Sequence, residues 1–284
     1  MIGIDLIAAA IYLGLRFVIF RKLLAIKAVR ETPWVILGKW VLQLVAGAGV
    51  ALGLLALTLL PGILGGYFTF TPGAPDPATA AQQGSIYPVI ALSALREELV
   101  FRGILLLLLI VALGYMLFAL VGPKFLRARG VQAALWVNGV IISSALFSFA
   151  HADNPSAVGT ALVNIFLVGL MLSLMFLFTR GLTVAFGFHF AWNALLEVVN
   201  LPVSGWEFSS SWHPFAIVTN GAPLLTGGNF GPEASAVLTA LLVAANLAGI
   251  VVYALRKLRT REPESDGSDA KTLSGGCSQG SNET

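Results

Sequence analysis

Charged residues are scarce in this chain, and cysteine is nearly absent. Only 11% of the 284 residues are Asp, Glu, Lys or Arg, whereas a soluble domain has about 25%. The single cysteine, Cys277, lies in a polar tail, which excludes a disulfide framework and a cysteine-based zinc site. Hydrophobic residues make up 57%, and the mean hydropathy is +0.86. This composition excludes a disordered chain and almost every soluble enzyme.

Long uninterrupted apolar runs indicate a helical membrane protein, because the strands of a transmembrane barrel would alternate apolar and polar residues. A spanning helix needs about 20 residues, and suitable runs are Ile2–Phe20, Val41–Leu64, Ile104–Val121, Ala133–Ala150, Val158–Phe178, Leu182–Val199 and Ala234–Leu255. A further apolar stretch, Ile86–Gly103, contains four charged residues. We expect it to be a half-inserted helix that breaks at Gly103, or alternatively part of one long tilted helix.

The predicted fold is therefore an all-α polytopic membrane protein, a bundle of seven to eight transmembrane helices with one half-inserted or broken helix. We divide the chain into four parts. Residues 1–85 hold N-terminal transmembrane helices and an outer loop, and residues 86–200 form a helical core in which we expect any catalytic residues, since the buried ionisable residues described below lie there. Residues 201–261 hold an outer loop and the last transmembrane helix, and residues 262–284 form a disordered polar tail.

The positions of lysine and arginine predict the orientation of the bundle. One set of loops holds twelve of the seventeen basic residues: Arg21, Lys22, Lys27, Arg30, Lys124, Arg127, Arg129, Arg180, Arg256, Lys257, Arg259 and Arg261. The other set, residues 65–85, 151–157 and 200–235, holds none. The two sets alternate along the chain, so we predict that the N-terminus is outside and the C-terminal tail is cytoplasmic.

A group of ionisable residues interrupts the apolar stretch before Gly103, and such groups inside membrane segments are functional candidates by default. Glu98 and Arg102 are four residues apart, the spacing of a helical ion pair. Glu97 points about 100° away from Glu98 around the helix and shares a face with Ser93. Glu97 is therefore free to face a cavity. The alternative is an interfacial cluster that anchors the end of the helix.

Two histidines also lie in or at the end of apolar helices. His151 ends one span and shares a face with Phe147, and it is either catalytic or an interfacial anchor. His189 and Asn193 share a face of another span, and they are either catalytic or a polar pair that joins two helices. The third histidine, His213, lies in a polar outer loop, where we expect it to be solvated or interfacial.

A buried carboxylate, two imidazoles and an amide can together hydrolyse a peptide bond. The carboxylate acts as general base on a water that one histidine orients. The second histidine and the asparagine stabilise the oxyanion. The Gly-x-Ser-x-Gly match Gly276–Gly280 lies in the polar tail outside the apolar runs, where it cannot be a strand-to-helix elbow, and the chain contains no His-Glu-x-x-His motif. We therefore favour an activated water over a covalent serine or cysteine nucleophile.

The motifs together resemble those of the CPBP family of intramembrane proteases, which includes type II CAAX prenyl endopeptidases and bacteriocin-processing or bacteriocin-immunity proteins. They occur in the family's order as Glu97-Glu98-x-x-x-Arg102, Phe147-x-x-x-His151 and His189-x-x-x-Asn193. The resemblance implies a membrane-embedded peptidase in the plasma membrane of a prokaryote. Its partners would be the lipid bilayer and a membrane-associated protein or peptide substrate, with no role for nucleic acid.

The resemblance also implies a role for each motif residue. Glu97 would activate the water with His151 as its partner, and His189 and Asn193 would stabilise the oxyanion. Glu98 and Arg102 would support them. The cofactor stays open: if a zinc ion takes part, its ligands would be Glu97, His151 and His189.

Two alternatives to a protease also stay open. One is a non-catalytic membrane interaction protein of the bacteriocin-immunity or chaperone type on the same fold. The other is an ion-coupled transporter with a Glu97–histidine relay. A transporter would be expected to carry internal repeats with broken helices, and the sequence has no evident repeat.

Overall fold

The computed structural model describes residues 7–8, 10–14, 32–72, 77–122, 124, 128–208, 213 and 215–259. The predicted tail and most of the predicted span Ile2–Phe20 lie outside these residues. The elements are α1 (Pro33–Leu64), β1 (Phe68–Pro72), α2 (Pro77–Glu98), a π-helical segment (Leu99–Leu105), α3 (Leu106–Val121), α4 (Arg129–Phe149), α5 (Gly159–Thr179), α6 (Thr183–Val198), β2 (Phe215–Thr219), α7 (Pro223–Thr226), the 3₁₀ turns Gly228–Phe230 and Pro232–Ala234, and α8 (Ala236–Arg259).

Five helical segments of the described chain are long and apolar enough to cross a membrane. They are Pro33–Leu64, Ser85–Val121, Gly130–Phe149, Gly159–Thr179 and Ala236–Leu255. This confirms the polytopic helical fold. The predicted span Leu182–Val199 is not among the five, because its helix α6 has only 16 residues, a length of about 24 Å. None of its residues is exposed, so this helix is enclosed by its neighbours instead of facing lipid.

The stretch before Gly103 and the span after it form one continuous helical run, which is the second of the two predicted alternatives. The π-helical segment replaces a break, and its backbone continues into α3 through a hydrogen bond from Leu106 N to the Phe101 carbonyl. The Ser143 hydroxyl donates to the same carbonyl at 2.7 Å. Gly103 serves close packing, because a Cβ there would lie 2.9 Å from the Tyr12 ring.

Helix α6 packs closely against α1 because two glycines face each other at their crossing. A Cβ at Gly47 would lie 2.3 Å from the Val184 carbonyl oxygen, and one at Gly187 would lie 2.6 Å from the Leu44 carbonyl oxygen. The apolar core around this crossing includes Leu54, Leu55, Leu172, Phe188, Leu196, Leu238 and Leu242. This packing sets the position of the helix that carries His189 and Asn193.

A two-stranded sheet, which the sequence did not predict, joins two loops at one end of the bundle. Strands β1 and β2 pair antiparallel, from Phe68 with Thr219 to Pro72 with Phe215. The third loop at this end is attached by a hydrogen bond from Asn154 Nδ2 to the Ser204 carbonyl at 3.0 Å. The three loops without lysine or arginine therefore meet on one side of the bundle, as their alternation along the sequence predicts.

Candidate active site

Three elements bring Glu97 together with two histidines. Glu97 lies near the end of α2, His151 in the turn after α4, and His189 in the middle of α6. Glu97 Oε2 is 3.7 Å from the Nε2 atoms of both His151 and His189. This oxygen has no hydrogen-bond partner in the part of the chain that the structure describes, while Ser93 donates to Oε1 at 3.2 Å. The three side chains therefore converge on one unpaired carboxylate oxygen.

Hydrogen bonds on the far side of each ring orient the two histidines. Nδ1 of His151 is 2.8 Å from the Phe147 carbonyl oxygen, and Nδ1 of His189 is 2.8 Å from Glu98 Oε1. Both oxygens can only accept, so each Nδ1 carries the proton. In a neutral ring, Nε2 then presents its lone pair toward Glu97. The rings are therefore arranged to act on a group held at Glu97 Oε2.

Glu98 forms a buried ion pair with Arg102, which confirms the pairing predicted from their spacing. The distance from Arg102 Nη1 to Glu98 Oε1 is 2.9 Å, and the side chains are 1% and 0% exposed. The same oxygen accepts the proton of His189 Nδ1. Burying two charges costs several kcal/mol unless additional hydrogen bonds satisfy them. The His189 bond is one of these, so the pair also holds the imidazole in place.

Phe147 packs between the buried ion pair and the histidines. The Arg102 guanidinium lies 4.1 Å from the centre of its ring, a cation–π contact. The ring makes edge contacts with Phe101 at 5.1 Å, His151 at 4.7 Å and His189 at 6.1 Å. Phe147 thus connects the buried charges to the rings that face Glu97.

Glu233, which the sequence analysis missed, is a second carboxylate of the site. The 3₁₀ turn Pro232–Ala234 places it in the cavity wall, where its side chain accepts hydrogen bonds from Trp192 Nε1 at 3.0 Å and from the Ser204 backbone N–H. Burial raises the pKa of Glu233, although these bonds and His151 act in the opposite direction. One sequence signal was present: Glu233 is the only charged residue between Glu207 and the last span.

Three of the four predicted site residues, His151, His189 and Asn193, line one cavity, and the fourth, Glu97, borders it. Its volume, including the open mouth, is about 390 Å³. It is lined by Phe147, His151, Asn164, Ile165, Val168, Phe188, His189, Trp192, Asn193, Ser204, Glu233 and Leu238. Glu97 adjoins it through its contacts with His151 and His189. The structure therefore brings together the carboxylate, the two imidazoles and the amide that were predicted from three separate motifs.

The chain between residues 82 and 195 matches the family model described as type II CAAX prenyl endopeptidase Rce1-like. This part of the chain, 114 of the 284 residues, is similar to that family. The match runs from α2 through most of α6, so it contains the three motifs but not Glu233. It confirms the resemblance that the motifs indicate. The comparisons with curated proteins and with solved structures give no match.

The resemblance to Rce1-like proteases leaves open whether the site uses a zinc ion as cofactor. A catalytic zinc needs three protein ligands. Within the described ranges, no group of three His, Cys, Asp or Glu side chains is arranged to hold a metal ion. The hypothetical ligands Glu97, His151 and His189 are not such a group, and the mechanism below uses the chain's own side chains and a water.

His213 lies outside the matched residues, and the expectation that it is solvated is wrong. The residue is only 8% exposed. Its Nδ1 atom is buried and has no hydrogen-bond partner among the residues that are described. The physical reason is the sheet: pairing with β1 draws β2, which begins two residues later at Phe215, against the bundle.

Proposed function

We propose that this protein is an intramembrane endopeptidase that cleaves a peptide bond with a water activated by Glu97. The observation that carries the proposal is the meeting of Glu97 Oε2 with the Nε2 atoms of His151 and His189, each at 3.7 Å. The match to the Rce1-like family supports a protease-like function at the membrane. The Glu97 side chain is 25% exposed, while its unpaired oxygen Oε2 is buried against the two imidazoles.

The reaction begins with a water between Glu97 and the histidines. His151 Nε2 accepts one hydrogen bond from the water and orients it, while Glu97 takes its other proton. The water oxygen attacks the carbonyl carbon of the substrate and gives a tetrahedral oxyanion. When the carbon–nitrogen bond breaks, the proton passes from Glu97 to the leaving amine. Water is consumed, and one acid and one amine are formed.

The oxyanion is stabilised by Asn193 and His189, which lie one helical turn apart on α6 and line the same cavity. The amide nitrogen of Asn193 is a donor at every pH. Nε2 of His189 donates only when the ring carries both protons. Glu98 and Arg102 are positioning residues in this mechanism, because they contact the His189 ring and not the reacting atoms.

The site opens on the side where the three loops without lysine or arginine meet. By the charge rule this side is outside, so the N-terminus is outside and the tail is cytoplasmic. We infer a plasma-membrane protein of a prokaryote whose substrate is not a prenylated tail on the cytosolic face. Labelling of single cysteines in intact cells tests this, with Cys277→Ser as background. An impermeant maleimide should label Asp153→Cys and should not label Ala128→Cys, although both positions are exposed.

The proteolysis assay uses purified protein and a panel of membrane-tethered peptides, prenylated and not prenylated. Wild type, Glu97→Gln and Glu207→Gln are compared, each with and without a chelator. We expect Glu97→Gln to abolish cleavage and Glu207→Gln, an exposed acid outside the cavity, to retain it. Equal cleavage by wild type and Glu97→Gln contradicts the proposal. Loss of cleavage on chelation would assign a metallopeptidase instead of a glutamate-activated water.

The principal alternative is a non-catalytic membrane interaction protein on the same fold. Such a protein would keep its partner when Glu97 becomes Gln, because the change is nearly isosteric. It would cleave no peptide in any arm of the assay. Capture of membrane partners by wild type and Glu97→Gln side by side therefore separates binding from catalysis.

A further inference from the structure

Glu233 and Glu98 are both buried glutamates near the cavity, but only Glu98 has a cation beside it. Glu98 contacts Arg102 at 2.9 Å. Glu233 is 8% exposed, and the described donors to its carboxylate are all uncharged: the N–H groups of Trp192 and Ser204 and the Ser204 hydroxyl. No Lys, Arg or His nitrogen of the described chain forms an ion pair with it. A buried carboxylate without a counter-charge is costly.

The backbone around Glu233 holds this carboxylate in place from the other side. Asn164 Nδ2 donates to the carbonyl oxygens of Glu233 at 2.8 Å and of Ser235 at 2.9 Å. Thr239 Oγ1 donates to Asn164 Oδ1 at 2.7 Å, so the amide is satisfied on both ends. The Glu233 side chain is thus preorganised in the cavity wall, and its charge is left for a ligand to neutralise.

The surrounding face carries charge of the same sign. The three loops that meet at this end of the bundle contain no lysine or arginine, and their described residues include three acids: Asp153, Glu207 and Glu233. Such a one-signed surface attracts cationic ligands and raises their rate of association. The negative charge of the surface and the Glu233 carboxylate in the cavity therefore both favour a cationic substrate.

We propose that Glu233 is a specificity-determining residue that selects a peptide with a lysine or arginine side chain next to the scissile bond. The inference rests on the proposed peptidase function. The aliphatic stem of the side chain lies against the apolar wall that Trp192 forms beside Glu233, and the cation meets the carboxylate. The raised pKa of Glu233 agrees with this assignment, because a substrate cation restores the ionised form that burial disfavours.

Binding to the full-length Glu97→Gln protein in detergent tests the inference without cleavage. The probes are two fluorescein-labelled peptides of alternating leucine and alanine, one with a single central lysine and one with norleucine, its uncharged analogue. We expect the lysine peptide to bind at least about tenfold more tightly. Adding Glu233→Gln should reduce this ratio to about one. Adding Glu207→Gln, which removes an exposed charge from the same face, should preserve it.

Equal affinities for the two peptides in the parent protein, or a ratio that survives Glu233→Gln, would overturn the proposal. A ratio lost equally in Glu207→Gln would assign the selectivity to the general field and not to Glu233. If Glu233→Gln does not fold, Glu233→Asp replaces it, and a ratio that falls toward one despite the retained charge counts against the proposal. Wild-type cleavage lost in Glu97→Gln tests the peptidase separately, so the two failures are distinguishable.

Discussion

Glu97 and Glu98 are neighbours in the sequence, yet their surroundings differ completely. The Glu98 side chain is 0% exposed, and one of its oxygens contacts both Arg102 and His189 within 3 Å. The Glu97 side chain is 25% exposed and has a free oxygen between two imidazoles. Consecutive helical residues point about 100° apart, so one acid faces the interior and the other faces the cavity.

The difference divides the work of the site between the two acids. The buried acid gains a guanidinium and an imidazole, and it can hold a ring in one orientation but cannot reach a water. The partly exposed acid has an unpaired oxygen that faces both rings, one of which its neighbour orients. A difference of one position along the helix thus separates the supporting role of Glu98 from the chemical role proposed for Glu97. Variants that remove one role and keep the other test this division.

The largest expected effect is that of Glu98→Gln, which keeps the side chain's shape and removes its charge. Arg102 is then buried without its counter-ion, and breaking such a pair costs about 3–5 kcal/mol. Thermal and denaturant unfolding of the detergent-solubilised protein should show this loss, together with loss of cleavage. Unchanged stability would contradict the assignment of Glu98 as the structural acid.

Glu97→Gln should lower the rate of cleavage without the loss of stability that is expected for Glu98→Gln. Removal of a general base lowers the rate by roughly 10²–10⁴-fold, whereas a half-exposed residue without an ion-pair network changes stability by about 0.5 kcal/mol or less. The measurement is cleavage and unfolding on the same preparation as Glu98→Gln. The comparison between the two acids fails if Glu97→Gln unfolds as easily as Glu98→Gln.

A smaller effect is expected where α6 crosses α1. Gly187→Ala places a methyl group 2.6 Å from the Leu44 carbonyl oxygen, and overpacking of this kind costs about 1–3 kcal/mol. The helices must separate, which displaces His189 from Glu98 and Glu97 and reduces activity as well. Gly53→Ala on α1 is the control, because nothing lies within 4 Å of its Cβ. Equal unfolding temperatures for the two variants would show that the crossing tolerates separation.

The smallest effect is predicted for Phe147→Leu, which removes the ring between the two halves of the site. Loss of the cation–π contact with Arg102 and of the edge contacts with His151 should destabilise the protein by about 1–2 kcal/mol. Phe149→Leu serves as control, since Phe149 is 76% exposed. If the unfolding curves of the two variants coincide, Phe147 does not stabilise the connection between the buried ion pair and the histidines.

Local patterns were sufficient for the helices and for the residues of the three motifs. Apolar runs require helices in a bilayer because the backbone must satisfy its own hydrogen bonds. The four-residue spacing was sufficient for the Glu98–Arg102 pair, and the 100° rotation was sufficient to separate Glu97 from it. The burial of His213 and Glu233 was not predicted. It depends on how a loop folds back on the bundle, and the spacing of residues within the loop does not determine that packing.

Composition and periodicity alone therefore specify a helical membrane protein with a carboxylate, two imidazoles and an amide on separate helices. Only the tertiary structure brings the Nε2 atoms of His151 and His189 to the same oxygen of Glu97. It also adds Glu233, 82 residues beyond His151 in the sequence, through a turn tied to Asn164 and Trp192. The physical reason is the sequence separation of the contacts. Helix patterns arise from contacts between residues a few positions apart, whereas a cavity is formed by side chains that are far apart in the sequence and come together only when whole helices pack.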